Sequence, residues 1–362
     1  MRSSLYALLP VLALACSTAG PRADTGSAPS DGDAATTPPS DGGSSGASSS
    51  GGSSGGGSDA GGSGSSDASS SPDGAASGGM TALQRKKAEM LTSIWENSTT
   101  VLQYPYSQNI QDGRGYTSGR AGFCTGTGDA IQVVQCFDQR FGTSAANVMH
   151  KYMPALTQIN QAFLSTGKDQ ASTALLDAVG SYSADWAKSA TDATTSLAFD
   201  ACQDQIVDLL YFTPGIAQAA KWGLSTALTK AALYDAEINH GDDGVAALAK
   251  QANTDTGNAA QTPATTPLTL AQESAWLHAF LLRRLATLKA DPTWAQAVDR
   301  AAEYEALRLA GNFDLGAAIV TDAKAVTMFP GKGYTDSGYP KCTIATAGAV
   351  SGDAACTSPT GG

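Results

Sequence analysis

The sequence predicts an α+β domain that is mostly helical, with one small sheet beside the first long helix and the other helices forming a second lobe. Three observations carry this reading. Strand patterns rich in aromatic, β-branched and glycine residues are confined to residues of about 100–125. Beyond them, apolar residues recur at helical spacing in segments punctuated by Pro154, Pro214, Gly241, Pro263, Pro267 and Pro292. Before residue 80, apart from a short leader, the chain has almost no large apolar side chain, so it cannot supply a core.

The leader pairs Met1-Arg2 with an apolar run over residues 5–15, too short to span a bilayer and of signal-peptide form. It ends Leu12-Ala13-Leu14-Ala15-Cys16, which resembles a bacterial lipobox and implies cleavage before Cys16 with lipid on its sulfur. The alternative is an ordinary signal peptide and a fully secreted protein. Residues 16–79 are Ser, Gly, Ala, Asp, Thr and Pro, a composition that stays a coil. A chain of this kind spans on the order of 40–45 Å root-mean-square and acts as a tether. We expect a folded domain over residues 80–320 and a loop-rich tail over 321–362. The protein is then extracellular or at the cell surface, its only membrane contact being the lipid on Cys16, and a monomer.

With 22 basic and 33 acidic residues the chain carries a net charge of −11 and no basic stripe, which argues against a nucleic-acid partner and suits a cationic one. Its three histidines, His150, His240 and His278, sit in or beside helical segments, and neither clustered histidines nor a Cys-x-x-Cys motif calls for a metal or cofactor. Cys342 and Cys356, in the tail, are the expected bridge of an exported protein. The pairing of Cys124, Cys136 and Cys202 stays open; Cys136 with Cys202, leaving Cys124 a buried thiol, is the arrangement carried forward.

Taken in order, residues 81–98 read as a helix capped by Thr81, with Leu83, Met90, Leu91, Ile94 and Trp95 on one face. Glu96 follows directly on Ile94-Trp95, so its carboxyl is beside apolar surface, where a raised pKa suits a proton donor. Residues 101–106 and 116–125 read as strands, with Asp112-Gly113 in a turn between them. A helix-end Glu and an Asp-Gly turn are each commonplace. Scarcity raises their interest: between residues 90 and 135 the only acids are Glu96, Asp112 and Asp129. Two carboxylates on separate elements across a gap are what glycoside hydrolysis uses. Helices are expected at about 130–141, 144–163, 169–188, 191–210, 214–239, 267–290 and 293–310. Trp186, Trp222, Trp276 and Trp294 fall at helical spacings and read as core, whereas His240 beside Gly241 could line a cleft.

Ile94-Trp95-Glu96-Asn97-Ser98, Asp112-Gly113-Arg114-Gly115-Tyr116-Thr117 and Gly122-Phe123-Cys124-Thr125-Gly126-Thr127-Gly128-Asp129 together resemble the chitosanases of glycoside hydrolase family 46. Tyr211-Phe212-Thr213-Pro214, Tyr234-Asp235-Ala236, Phe280-Leu281-Leu282-Arg283-Arg284 and Ala310-Gly311-Asn312-Phe313-Asp314-Leu315 follow in the same order. The resemblance spans about residues 83–316. It implies a lysozyme-like two-lobed fold and endo-hydrolysis of the β-1,4 bonds of chitosan with inversion. On that resemblance Glu96 falls on the general acid, Asp112 on the general base, Thr117 on the residue that orients the water, Arg114 on a substrate contact and Asp129 on a grip for a glucosamine ammonium. Asp208, Arg284 and Arg300 fall on a buried ion-pair network that supports the two carboxyls. A lysozyme-like peptidoglycan hydrolase and a surface lipoprotein that binds an amino-polysaccharide without cutting it are the competing readings.

Overall fold

The structure, a computed structural model, describes residues 79–171, 173–258, 266–292, 294–346 and 356–357. The expected leader, Cys16 and the Ser/Gly-rich tether lie outside the described residues. Helix α1 (Ala82–Asn97) opens with a capping box, in which the Thr81 hydroxyl accepts from Gln84 N–H and the Gln84 side chain accepts from Thr81 N–H. Two otherwise orphaned donors are thereby satisfied. Leu91, Ile94 and Trp95 form its buried stripe, and Glu96 lies within that stripe rather than on the solvent side. The helix stops at Ser98, which takes the left-handed conformation and returns its N–H to Ile94 O.

Strands β1 (Ser107–Asn109), β2 (Tyr116–Ser118) and β3 (Phe123–Cys124) form an antiparallel sheet in that order, with Gln108 opposite Thr117 and Thr117 opposite Cys124. The strand expected over residues 101–106 is a loop instead. The Tyr104 carbonyl is taken by Trp186 Nε1 at 3.0 Å and Gln203 Nε2 at 3.1 Å, so it is not available to a neighbouring strand. The turn from β1 to β2 carries Asp112-Gly113, as expected, with Gln111 and Gly113 both at positive φ.

Helix α2 (Asp129–Phe141) packs on α3 (Met153–Thr166) and α6 (Ser196–Val207), and α5 (Tyr182–Thr191) packs on α6, β1 and β2. A short helix, α4 (Ala174–Asp177), lies between α3 and α5. A π-helical turn, Asp208–Phe212, then leads into α7 (Thr213–Lys221). Helix α7 lies against α8 (Ala227–Asp255), which also packs on α1 and on α9 (Leu270–Ala290); α10 (Val298–Leu309) closes against α9 and α8. The close approach of α7 to α8 depends on Gly215, because a Cβ there would sit 2.8 Å from the Tyr234 nitrogen. Sheet-bearing and all-helical halves are thus joined through α6, the π turn and α7. The single helix expected over 214–239 is two, and it runs on past Gly241, where α8 kinks at φ 64°, ψ 173°.

The tail carries more regular structure than its composition suggested. Strands β4 (Ile319–Thr321), β5 (Lys341–Ile344) and β6 (Cys356–Thr357) form a second antiparallel sheet, with a short helix α11 (Ala325–Met328) between the first two. Disulfides join Cys136 to Cys202, tying α2 to α6, and Cys342 to Cys356, tying β5 to β6. Cys124 is not the free thiol expected of it, since it is disulfide-bonded. Among the described residues no helix is long and apolar enough to cross a membrane.

Candidate active site

Four helices converge on one carboxylate. Asp235 of α8 is wholly buried, and its Oδ2 accepts from Arg284 Nη2 of α9 and from Arg300 Nε of α10, both at 2.8 Å. Its Oδ1 accepts from Thr92 Oγ1 of α1 at 2.9 Å. Arg284 Nη2 also donates to Asn239 Oδ1 at 2.7 Å, one turn further along α8. Burial by itself would raise the Asp235 carboxyl, but the Arg300 and Arg284 charges outweigh it and hold the group below the usual carboxylate range.

Arg300 spends its remaining reach on Glu96, donating from Nη1 to Oε1. Glu96 is 1% exposed, and its Oε2 has no partner among the described residues. Burial is the largest influence on this carboxyl and raises its pKa; Arg300 opposes the shift, Asp235 adds to it, and the net direction is upward. Charge balance explains why Arg300 does not reverse the effect of burial. Asp235 already faces both guanidiniums at hydrogen-bond distance, so Glu96 gains little from ionising in a site without water.

On the sheet side, Arg114 folds back over Asp112. Its backbone N–H donates to Oδ1 at 3.0 Å, while Nε at 3.0 Å and Nη2 at 2.7 Å donate to Oδ2. Arg114 is also close enough to lower the Glu96 pKa, so one guanidinium acts on both carboxyls. The backbone is strained next to each acid: Ser98, two residues past Glu96, and Gln111, just before Asp112, are two of the three non-glycine residues at positive φ among the described residues. Thr117, fully buried on β2, places Oγ1 3.5 Å from Cys124 Sγ. Asp129 begins α2 and accepts on Oδ1 from Thr127 Oγ1 at 2.7 Å, Cys124 N at 2.9 Å and Ala130 N at 3.1 Å. Burial still pushes its pKa up to about 6.

The structure gathers Glu96, Arg300 and Arg284 around Asp235 and puts Arg114 on Asp112, but it does not bring Asp208 to them. Asp208 begins the π turn, its side chain is 41% exposed, and it pairs with Arg85 on the outer side of α1. Its apolar neighbours Ile206 and Val207 are buried, yet the helix turns Asp208 away from them. The acid of the network is Asp235. It sits in the apolar run Ala231-Ala232-Leu233-Tyr234-Asp235-Ala236, where a carboxylate can be buried only with cationic partners.

Two further groups were not singled out from sequence. Tyr211, buried on the π turn, has its phenol pushed well up by burial first and also feels the charges of Asp129, Glu96 and Arg114. Asp169, exposed before α4, feels Arg114 and Asp112. A cavity of about 320 Å³ adjoins the network through Asn239, and His240, Gln251, Asp291 and Trp294 also line it. His240, which sequence suggested could line a cleft, lines this cavity, to which neither Glu96 nor Asp112 contributes. Burial and the Arg284 and Arg300 charges push its pKa down to about 3, so the imidazole is neutral. Trp294 is largely buried as expected, yet one side of it lines the cavity.

A dehydrated acid held by an arginine on the helical half, with a second carboxylate in a turn of the sheet half, is the equipment of a glycoside hydrolase. Residues 90–319 match glycosyl hydrolase family 46, and the chain belongs to that family. It is 33% identical over 253 residues to a chitosanase of Bacillus subtilis (strain 168), covering 67% of this chain and 83% of that protein. Among solved structures it resembles a mutant chitosanase of Bacillus subtilis MY002 complexed with 6 GlcN, at 32% identity and TM-score 0.57, over 68% of this chain and 97% of that one. A chitosanase of Gynuella sunshinyii in complex with chitotetraose is 31% identical with TM-score 0.56, over 68% of this chain and 98% of that one. The lysozyme-like fold expected from sequence is the fold of this group.

Replacing Asp235 with Asn leaves two buried guanidiniums without their carboxylate and is expected to lower stability by about 3–5 kcal/mol in urea unfolding. Asp208→Asn, at a half-buried pair open to solvent on the Asp208 side, is expected to cost at most about 1 kcal/mol. The Asp235 carboxyl is depressed in the fold, so its contribution is present above the unfolded value of about 3.9 and is lost as pH falls through the lower folded value. Acid unfolding of Asp235→Asn therefore lacks that component.

Proposed function

We infer that the enzyme cleaves internal β-1,4 bonds of chitosan with inversion, Glu96 acting as general acid and Asp112 as general base. The single observation that carries the assignment is the Glu96 carboxyl, dry, raised in pKa and held by Arg300. Its Oε2, the oxygen that Arg300 does not hold, delivers the proton to the glycosidic oxygen as the bond to the anomeric carbon breaks. In the free enzyme this oxygen is sealed from solvent, so binding must part the groups over it. Asp112 takes a proton from the water that attacks the opposite face of the sugar. Arg114 takes one acceptor position on Asp112 Oδ1 and two on Oδ2; a carboxylate has about four, so the second position on Oδ1 is left for that water. Thr117 steadies the water from β2.

Once Glu96 has given up its proton it becomes an anion beside Arg300, and the hydrogen bond already in place becomes charge-assisted. Stabilisation therefore grows as the reaction proceeds, which is what lowers a barrier rather than tightening substrate binding. Asp129, and Asp291 in the adjoining cavity, supply negative charge for the ammonium groups of glucosamine. Trp294 offers that cavity an apolar face of the size of a sugar ring, and Arg114 and neutral His240 offer hydrogen bonds. The family relatives solved with 6 GlcN and with chitotetraose support this substrate.

Reducing ends released from chitosan, chitin and murein, with product anomers followed by NMR, test the reading. Glu96→Gln and Asp112→Asn are each expected to lower kcat by about 10²–10⁴-fold. The alkaline limb of the wild-type profile is expected above the ordinary glutamate value, because the acid works protonated and is lost as pH rises through its raised pKa. Cleavage of murein in preference to chitosan, or full activity of Glu96→Gln, would overturn the assignment, and binding of chitosan without turnover would make this a binding protein.

We also propose that the chain is exported and anchored through Cys16, with residues 16–79 as the tether. Two disulfides among the described residues suit an oxidising compartment. Detergent partitioning of the full chain is expected to place it with the membrane and Cys16→Ser in the aqueous phase; partition of both into water contradicts the anchor.

A further inference from the structure

The segment that matches the family ends at residue 319, but the chain beyond it returns to the active site. Its first hold is Asp299, the fully buried residue immediately before Arg300 on α10. Asp299 Oδ1 accepts from Ala325 N at 2.7 Å, and Oδ2 accepts from Ser337 N at 2.9 Å and Ser337 Oγ at 2.6 Å. One turn further along α10, Glu303 accepts from Ala323 N at 3.1 Å. An ion pair from Lys324 to Asp336, at 2.9 Å, holds the two arms of the loop together. Beyond it, Thr321 and Cys342 hydrogen-bond reciprocally between β4 and β5, and the Cys342–Cys356 disulfide adds β6. The result is a strap over the N-terminal turn of α10.

At its centre is Tyr339. Its ring meets Trp95 edge-to-face, with centroids 4.9 Å apart and planes at 89°. Trp95 is the neighbour of Glu96, as Asp299 is the neighbour of Arg300. The phenol lies close enough to feel the charges of Arg300, Glu96, Asp235 and Asp299. One segment therefore grips both residues of the Glu96–Arg300 pair through the position next to each.

We propose that this C-terminal strap supports catalysis through the Glu96–Arg300 pair, Tyr339 being a positioning residue that, together with the Asp299 clamp, fixes Arg300 and keeps the pair dry. The inference rests on Glu96 being the general acid. The strap approaches the pair from the side of Trp95, where the Tyr339 ring, not its hydroxyl, makes the contact. The charged and titratable groups facing Glu96 are Arg300 from α10, Asp235 from α8, Arg114 from the β1–β2 turn and Tyr211 from the π turn, with Arg284 and His240 beyond Asp235. Tyr339 itself stays neutral, because burial raises its phenol far above the working range. A change in the pH profile on altering it thus reports on the pair it positions.

The test compares Tyr339→Phe, Tyr339→Ala and Ser337→Ala with the full wild-type chain, measuring kcat, KM, the pH dependence of kcat/KM and thermal unfolding. Tyr339→Ala is expected to lower kcat by roughly tenfold with KM little changed, as misplacement of a catalytic group does. Water admitted to Glu96 relieves the burial that raises its pKa, so the alkaline limb is expected to move to lower pH. Tyr339→Phe should restore both, and Ser337→Ala should show a smaller displacement in the same direction. A lowered unfolding temperature with kcat and the alkaline limb unmoved would overturn the proposal, leaving the strap a stabilising element. Should Tyr339→Ala fail to fold, Ser337→Ala and Tyr339→Leu carry the test, and an unmoved limb in both contradicts it. Glu96→Gln run alongside separates the two claims: if it stays active, the acid assignment falls, and if it is inactive while the strap variants match wild type, only the strap inference falls.

Discussion

The site depends on one carboxylate shared between two arginines. Asp235 takes Arg300 and Arg284 on a single oxygen while Thr92 occupies the other, and this binds α8, α9, α10 and α1 at one point. A buried cluster of this kind is a poor source of stability, because desolvation offsets most of the attraction. Its value is in geometry and charge. Arg300 is fixed by Asp235 and so presents Nη1 to Glu96 in one direction, and Glu96 is spared from being the counter-ion. It can therefore keep a proton in a place where an isolated acid beside an arginine would be expected to ionise.

The two halves of the molecule treat their carboxyls differently. Glu96 is in a helix among apolar residues and is 1% exposed; Asp112 is in a turn, with a side chain 19% exposed and an arginine folded back over it. The Glu96 environment favours holding a proton, as burial raises its pKa. Arg114 links the two carboxyls, since it is bonded to Asp112 and its charge reaches Glu96. Tyr211, on the π turn that joins the halves, feels the charges of both Glu96 and Asp129, and irregular helical turns of this kind often occur at functional positions.

Much of this was legible in sequence because its signals are local. Thr81 and Gln84 announce the start of α1, the periodicity of Leu91, Ile94 and Trp95 gives its buried face, and the scarcity of acids around residue 112 narrows the choice of a pair. What sequence did not give depends on contacts made across long separations. Asp208 and Asp235 both lie among apolar neighbours, and only tertiary packing shows that Asp208 meets Arg85 at the surface while Asp235 faces two guanidiniums. Residues 101–106 have strand-forming side chains, but Trp186 and Gln203, some 80 and 100 positions away, take the Tyr104 carbonyl. The tail read as loop because its strands are short and its order comes from Asp299 and a disulfide rather than from an apolar pattern.

The central claim is that Glu96 is protonated in the free enzyme despite its hydrogen bond to Arg300. A ¹³C NMR titration of the glutamate side-chain carboxyls, with the Glu96 signal assigned by its loss in Glu96→Gln, measures this directly. The account predicts a Glu96 midpoint clearly above the ordinary glutamate value of about 4.3. A midpoint at or below that value would mean that Arg300 holds Glu96 as a carboxylate, and the acid role would have to be given up.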